Sequence, residues 1–150
     1  MRIVRTITLL ALTSLSGTLG AQTPSPASTD SARLQGAWVM LAGAANGYSL
    51  PETYVRNMRR VLTGNEVAVT VGDQLFFKAT IALDPTKSPR TIDYHVTGGP
   101  TSGAVQLGIY AISGDTARFC FGAPDSARPN EFTTATGDGR TLSTWVRLER

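Results

Sequence analysis

The chain has 150 residues, enough for one domain around one core. It carries 14 Lys and Arg against 11 Asp and Glu, and a net charge of +3 without a long basic run excludes the dense cationic face that a phosphate backbone demands. A single Cys excludes an internal disulfide and any Cys-rich metal centre.

In chain order, the first segment has the layout of an export signal. Arg2 and Arg5 make a positive start, ITLLALTSLSG a short apolar stretch broken by Thr and Ser, and TLGAQ offers small residues for cleavage near Gly20 or Ala21. The apolar stretch is shorter than the roughly 18 to 20 residues of a membrane span. Residues 1–21 are therefore read as a signal peptide, and the mature protein as exported, periplasmic or extracellular, with no membrane span. No Cys follows the cleavage region, so lipid attachment is not expected. Cleavage removes two arginines and no acid, leaving 12 basic and 11 acidic side chains and a charge of +1, with no nucleic acid expected as partner. Residues 22–31, QTPSPASTDS, have almost no large apolar side chain and read as a disordered linker. The domain then spans 32–150.

Within it, apolar residues alternate with polar ones and turn residues interrupt them, the pattern of half-buried antiparallel strands. LQGAWVM opens the first strand, and PETYVRNM suits a helical turn or two with Pro51 at its first position. Arg56, Arg59 and Arg60 read as a solvated edge near a strand start. The faces expected to be buried are Val67, Val69 and Val71, then Leu75, Phe77, Ala79, Ile81 and Leu83, then Ile92, Tyr94 and Val96. They continue with Val105, Leu107, Ile109 and Ala111, then Ala117, Phe119 and Phe121, and finally Leu142, Thr144, Val146 and Leu148. Between them Asn46-Gly47, Gly64-Asn65, Gly72-Asp73, Gly98-Gly99, Gly114-Asp115 and Gly137-Asp138-Gly139 supply residues that tolerate positive φ. With no amphipathic helix to cover it, such a sheet closes on itself or folds into a sandwich, and sequential hairpins favour closure. The predicted fold is all-β: an up-and-down antiparallel meander of about eight to ten strands closing into a lipocalin-like, calycin-like barrel.

Gly36-Ala37-Trp38 resembles the G-x-W signature of lipocalins and related calycin barrels. The resemblance implies that Trp38 closes one end of the barrel beneath a basic residue of the last strand, TLSTWVRLER, for which Arg147 is the choice and Arg150 the reserve. The ordered series LQGAW, NGYSLP, LDPTKSPRTID, GGPTSG, LGIYAISGDTARFCF, RPNEF and VRLER is similar to an uncharacterised bacterial domain family best known from Planctomycetes. Its members read L-Q-G-T-W, L-D-P-T-K-x-P-K-x-I-D and G-I-Y-x-x-x-G-D-T-L-x-x-C. Ala37, Arg90 and Ala117 depart from that pattern, the last thinning the core. The family implies a secreted or envelope-associated lipocalin-like domain and no established activity.

Chemistry-bearing residues are few. Asp93 and the lone His95 share a strand face and are placed to orient one another. No spacing suggests a zinc or calcium site, so neither metal nor cofactor is expected. In LDPTKSPRTID, Asp84, Lys87 and Arg90 form either an anion-binding rim at a barrel mouth or a capped, proline-stiffened turn. Arg128 and Glu131 are expected to pair, and Cys120 reads as a small buried strand residue. No phosphate loop or nucleophile elbow occurs, enzyme chemistry has little to stand on, and no catalytic residue is assigned. The leading expectation is a barrel that binds a small apolar or amphipathic ligand among Phe77, Tyr94, Phe119 and Phe121. The alternative is a packed barrel acting as an envelope or extracellular protein-interaction module, with Phe76 and Tyr110 exposed as a patch. The third is a hydrolase or isomerase using Asp93 and His95.

Overall fold

The computed structural model describes residues 20–148. The predicted signal peptide lies outside the described residues except for Gly20 and Ala21, as does Arg150. The elements in order are α1 (Pro26–Leu34), β1 (Gly36–Ala45), β2 (Tyr48–Ser49), α2 (Glu52–Asn57), β3 (Met58–Thr63), β4 (Glu66–Val71), β5 (Gln74–Asp84), β6 (Arg90–Gly98), β7 (Val105–Ser113), β8 (Thr116–Phe121) and β9 (Thr141–Arg147). Every strand pairs antiparallel with its sequential neighbour in the meander, β1 joining β3 directly, and β9 returns to pair with β1. Eight strands thus close a barrel, and β2 is an additional short strand on β1. Closure removes the exposed sheet edges that an open meander of this length would leave.

The antiparallel order assigns each connection to one end. The start of β1 and the β3–β4, β5–β6 and β7–β8 turns gather at one end, and the β4–β5, β6–β7 and β8–β9 connections gather with α2 at the other. The core runs between them and includes Trp38, Met40, Leu62, Val67, Val69, Ile92, Tyr94, Phe119 and Trp145.

Three expectations are corrected here. First, the segment expected to be a disordered linker carries α1. Ser25 caps it by accepting from the Ser28 backbone N–H over 3.2 Å, and Pro26 occupies its first turn. Asp30 and Leu34, four residues apart on one face, are buried, so the helix is stabilised by docking on the barrel, which composition does not register. The Gln35 side chain pins its exit to the β3–β4 turn, donating to the Gly64 carbonyl over 2.8 Å and accepting from its N–H over 2.9 Å.

Second, β7 and β9 present the opposite face from the one expected. Gly108, Tyr110 and Ile112 lie opposite the inward residues Phe121, Phe119 and Ala117 of β8, and Ser143 and Trp145 lie opposite Phe119 and Ala117. Val105, Leu107 and Ile109 of β7, expected to point inward, are on the outside, Ile109 beside Cys120. They are apolar because that exterior is covered: residues 122–140 lie across it, with Pro129 and Cys120 fully buried and Cys120 Sγ 3.5 Å from the Thr133 carbonyl oxygen.

Third, Arg128 does not pair with Glu131. Its guanidinium donates to the Gly108 carbonyl at 2.8 Å and to the Ile92 carbonyl at 3.3 Å, and meets Asp93 Oδ1 at 2.7 Å, strapping the 122–140 segment to the sheet.

Candidate functional site

The first end of the barrel is shut by side chains from both extremes of the domain. Gly36 has φ +92°, the left-handed region open to glycine, and this turns the chain from α1 into β1. Trp38, fully buried, donates from its indole N–H to the Leu34 carbonyl over 3.0 Å. Arg147 lies over it, with Cζ 4.4 Å from the ring. Its Nη1 donates to the Gln35 carbonyl at 2.8 Å, Nη2 to the Arg33 carbonyl, and Nε meets Asp115 at 3.3 Å. A cation at the C-terminal end of α1 satisfies carbonyls that the helix leaves without partners and complements its dipole. Beside this plug Asp30 accepts from the Tyr110 hydroxyl at 2.7 Å and pairs with Arg90 at 3.1 Å.

Above the plug the barrel is hollow. A cavity of about 400 Å³ is walled by Met40, Met58, Val69, Phe77, Phe119, Phe121 and Trp145, and opens past Tyr54, Phe76, Pro100 and Thr101 at the other end. All four of the aromatic residues predicted to line a pocket, Phe77, Tyr94, Phe119 and Phe121, face it. The Tyr94 and Phe121 ring centroids are 4.2 Å apart, and Phe77 follows at 5.5 Å from Tyr94. Gly108 makes room for this cluster, because a Cβ there would run into the Phe121 ring.

One charged side chain enters this apolar space. Arg60, expected at a solvated edge, points inward and is 1% exposed. It stands opposite Trp38 on β1 and Val69 on β4, at the floor of the cavity. Its Nη2 donates to the Tyr94 hydroxyl at 3.2 Å, and its Cζ lies 4.4 Å from the Phe119 ring centroid, while Nη1 has no hydrogen-bond partner among the described residues. Sequence reading missed it because three arginines in five residues look like a surface cluster. The signal was present in the alternation: Met58, Arg60 and Leu62 share the buried face of β3, and Arg59 and Val61 the other.

The remaining candidates lie elsewhere. Asp93 is engaged by Arg128 on the outer face, and His95 is exposed. The LDPTKSPRTID run sits at the shut end, so it is no rim of the mouth. There Asp84 accepts from the Thr86 hydroxyl at 2.5 Å and the Thr86 N–H at 3.0 Å, which together hold its carboxyl below the usual value, and Arg90 is taken by Asp30. Phe76 is 48% exposed but Tyr110 only 1%, inside the barrel, so the two form no surface patch. Among the described residues no cluster of three Cys, His, Asp or Glu is spaced to hold a metal, and no helix is long and apolar enough to cross a membrane.

The fold and the cavity define the class: an all-β, lipocalin-like barrel, shut at one end and hollow at the other. The chain matches no family model, no curated protein and no solved structure.

Proposed function

We propose that the protein binds a small apolar or amphipathic ligand inside its barrel, as an exported lipocalin-like domain of the bacterial family its motifs resemble. The observation that carries this is the open-ended cavity of about 400 Å³ with aromatic and aliphatic walls. That volume falls in the range of roughly 300 to 1,000 Å³ in which small-molecule sites occur. Leaving apolar walls unfilled forfeits packing that a ligand restores.

Nile red, an uncharged dye that brightens in apolar surroundings, tests the proposal. It is expected to bind the mature protein with a stoichiometry of about one. Val69→Phe, which places a ring in the cavity, is expected to weaken that binding by at least about tenfold, while overpacking costs about 1–3 kcal/mol of stability. Equal dye binding by the two proteins would show that the dye sits elsewhere and would remove the cavity as the site.

A further inference from the structure

We infer that the ligand carries one anionic head, a carboxylate, seated on Arg60 and Tyr94 at the floor of the cavity. This rests on the cavity being the ligand site and names the chemistry that site selects.

The argument begins with a cation in the wrong solvent. An arginine side chain in a protein is a permanent cation, whereas a buried lysine can shed its charge. Buried charges are otherwise paired, yet none of the ion pairs among the described residues includes Arg60. Among the described residues no Asp or Glu lines the cavity. The nearest thing to compensation is the Phe119 ring, a weak partner for a full charge. The one buried carboxylate among the described residues, Asp30, is already engaged by Tyr110 and Arg90.

The donors left over have a shape. One Arg60 Nη2 proton goes to the Tyr94 oxygen, so the Tyr94 hydroxyl keeps its own proton to donate, and Nη1 keeps both of its protons. Two donors side by side, one cationic and one phenolic, match the two oxygens of one carboxylate, one oxygen on each. Everything between this pair and the mouth is apolar, apart from a few hydroxyl and amide groups, which suits a hydrocarbon body lying outward from the head. A charge at the floor with greasy walls above it also sets direction: the head enters first and the tail ends at Tyr54 and Phe76.

Dodecanoate and dodecanol, which share a tail and differ in head charge, provide the test. Isothermal titration of the mature protein at neutral pH is expected to give dodecanoate about 10- to 100-fold tighter binding than dodecanol, the usual strength of a charge-assisted hydrogen bond. Arg60→Met keeps the length of the side chain and removes its charge, and burying an apolar group there favours folding. It is expected to bind the two ligands equally, with dodecanol unchanged within about threefold. Tyr94→Phe is expected to cost dodecanoate about three- to tenfold and dodecanol nothing.

Equal affinity of the unmodified protein for the two ligands overturns the anionic head and leaves the cavity reading standing. A preference for dodecanoate that survives Arg60→Met overturns the assignment to Arg60. Binding of neither ligand overturns both this inference and the proposed function beneath it.

Discussion

At the shut end of the barrel, a single phenol ties the fold to alkaline pH. Burial first, and then the hydrogen bond to Asp30 and the negative charge of that group, push the Tyr110 hydroxyl well above the ordinary tyrosine value. The folded chain therefore holds this proton more tightly than the unfolded chain. Its contribution is complete below about pH 10, where an unfolded tyrosine titrates, and is lost as pH rises from there toward the folded value. Tyr110→Phe keeps the ring but leaves Asp30 to its arginines. It is expected to cost about 1–2 kcal/mol at neutral pH and to flatten the decline in stability above about pH 10, read from urea unfolding at a series of pH values. An equally steep alkaline decline in this variant would show that another group is responsible. Arg60 teaches the complementary lesson at the same scale. Two of the four residues before it are arginines, but its neighbours in space are set by its place in the alternation between Met58 and Leu62.

Among the elements, α1 and the 122–140 strap are two that pattern reading did not find, for one reason. Both are polar, Pro-rich or Ser-rich segments whose order comes from a few long-range contacts. For α1 the decisive contact is Arg147, which caps the helix and stacks on Trp38. Arg147→Met is expected to destabilise the fold by about 2–4 kcal/mol in thermal or urea unfolding, combining the lost charged hydrogen bonds and the lost cation–π contact. Arg147→Lys is expected to recover less than half, because an ammonium lacks the planar fork that serves several acceptors at once. For the strap the decisive residue is Arg128. Burial pushes the Cys120 thiol up, so in the intact fold it is both covered and mostly protonated. Arg128→Ala releases three contacts and is expected to speed modification of Cys120 by an aromatic disulfide reagent by about tenfold or more, through local opening of the strap. Modification at an unchanged rate, with stability also unchanged, would show that the strap is held by something else.

For the molecule as a whole, the meander, its closure and most of its turns were legible because they follow from period-two alternation and glycine placement. The faces of β4, β6 and β8 follow that alternation: Val67, Val69, Ile92, Tyr94, Val96, Phe119 and Phe121 are all buried. The faces of β7 and β9 do not follow it, because an exterior covered by a strap is as apolar as an interior, and alternation alone cannot tell which dry side is which. The four aromatic residues of the cavity wall were readable as apolar positions on inward faces. The cation among them was legible only as an alternation position between Met58 and Leu62, and its place in a run of arginines pointed the other way.

The seam between β1 and β9 joins atoms 112 residues apart in the chain, from Gln35 to Arg147. Every hairpin of the meander can form locally, but this one pairing is a loop closure of nearly the full domain, the slowest kind of contact to make. Before it forms, Arg60 lies on an open sheet in contact with water. After it forms, the same side chain is sealed in an apolar chamber. The cavity is thus completed only when the ring closes, and the proposed ligand would act as a latch on that ring.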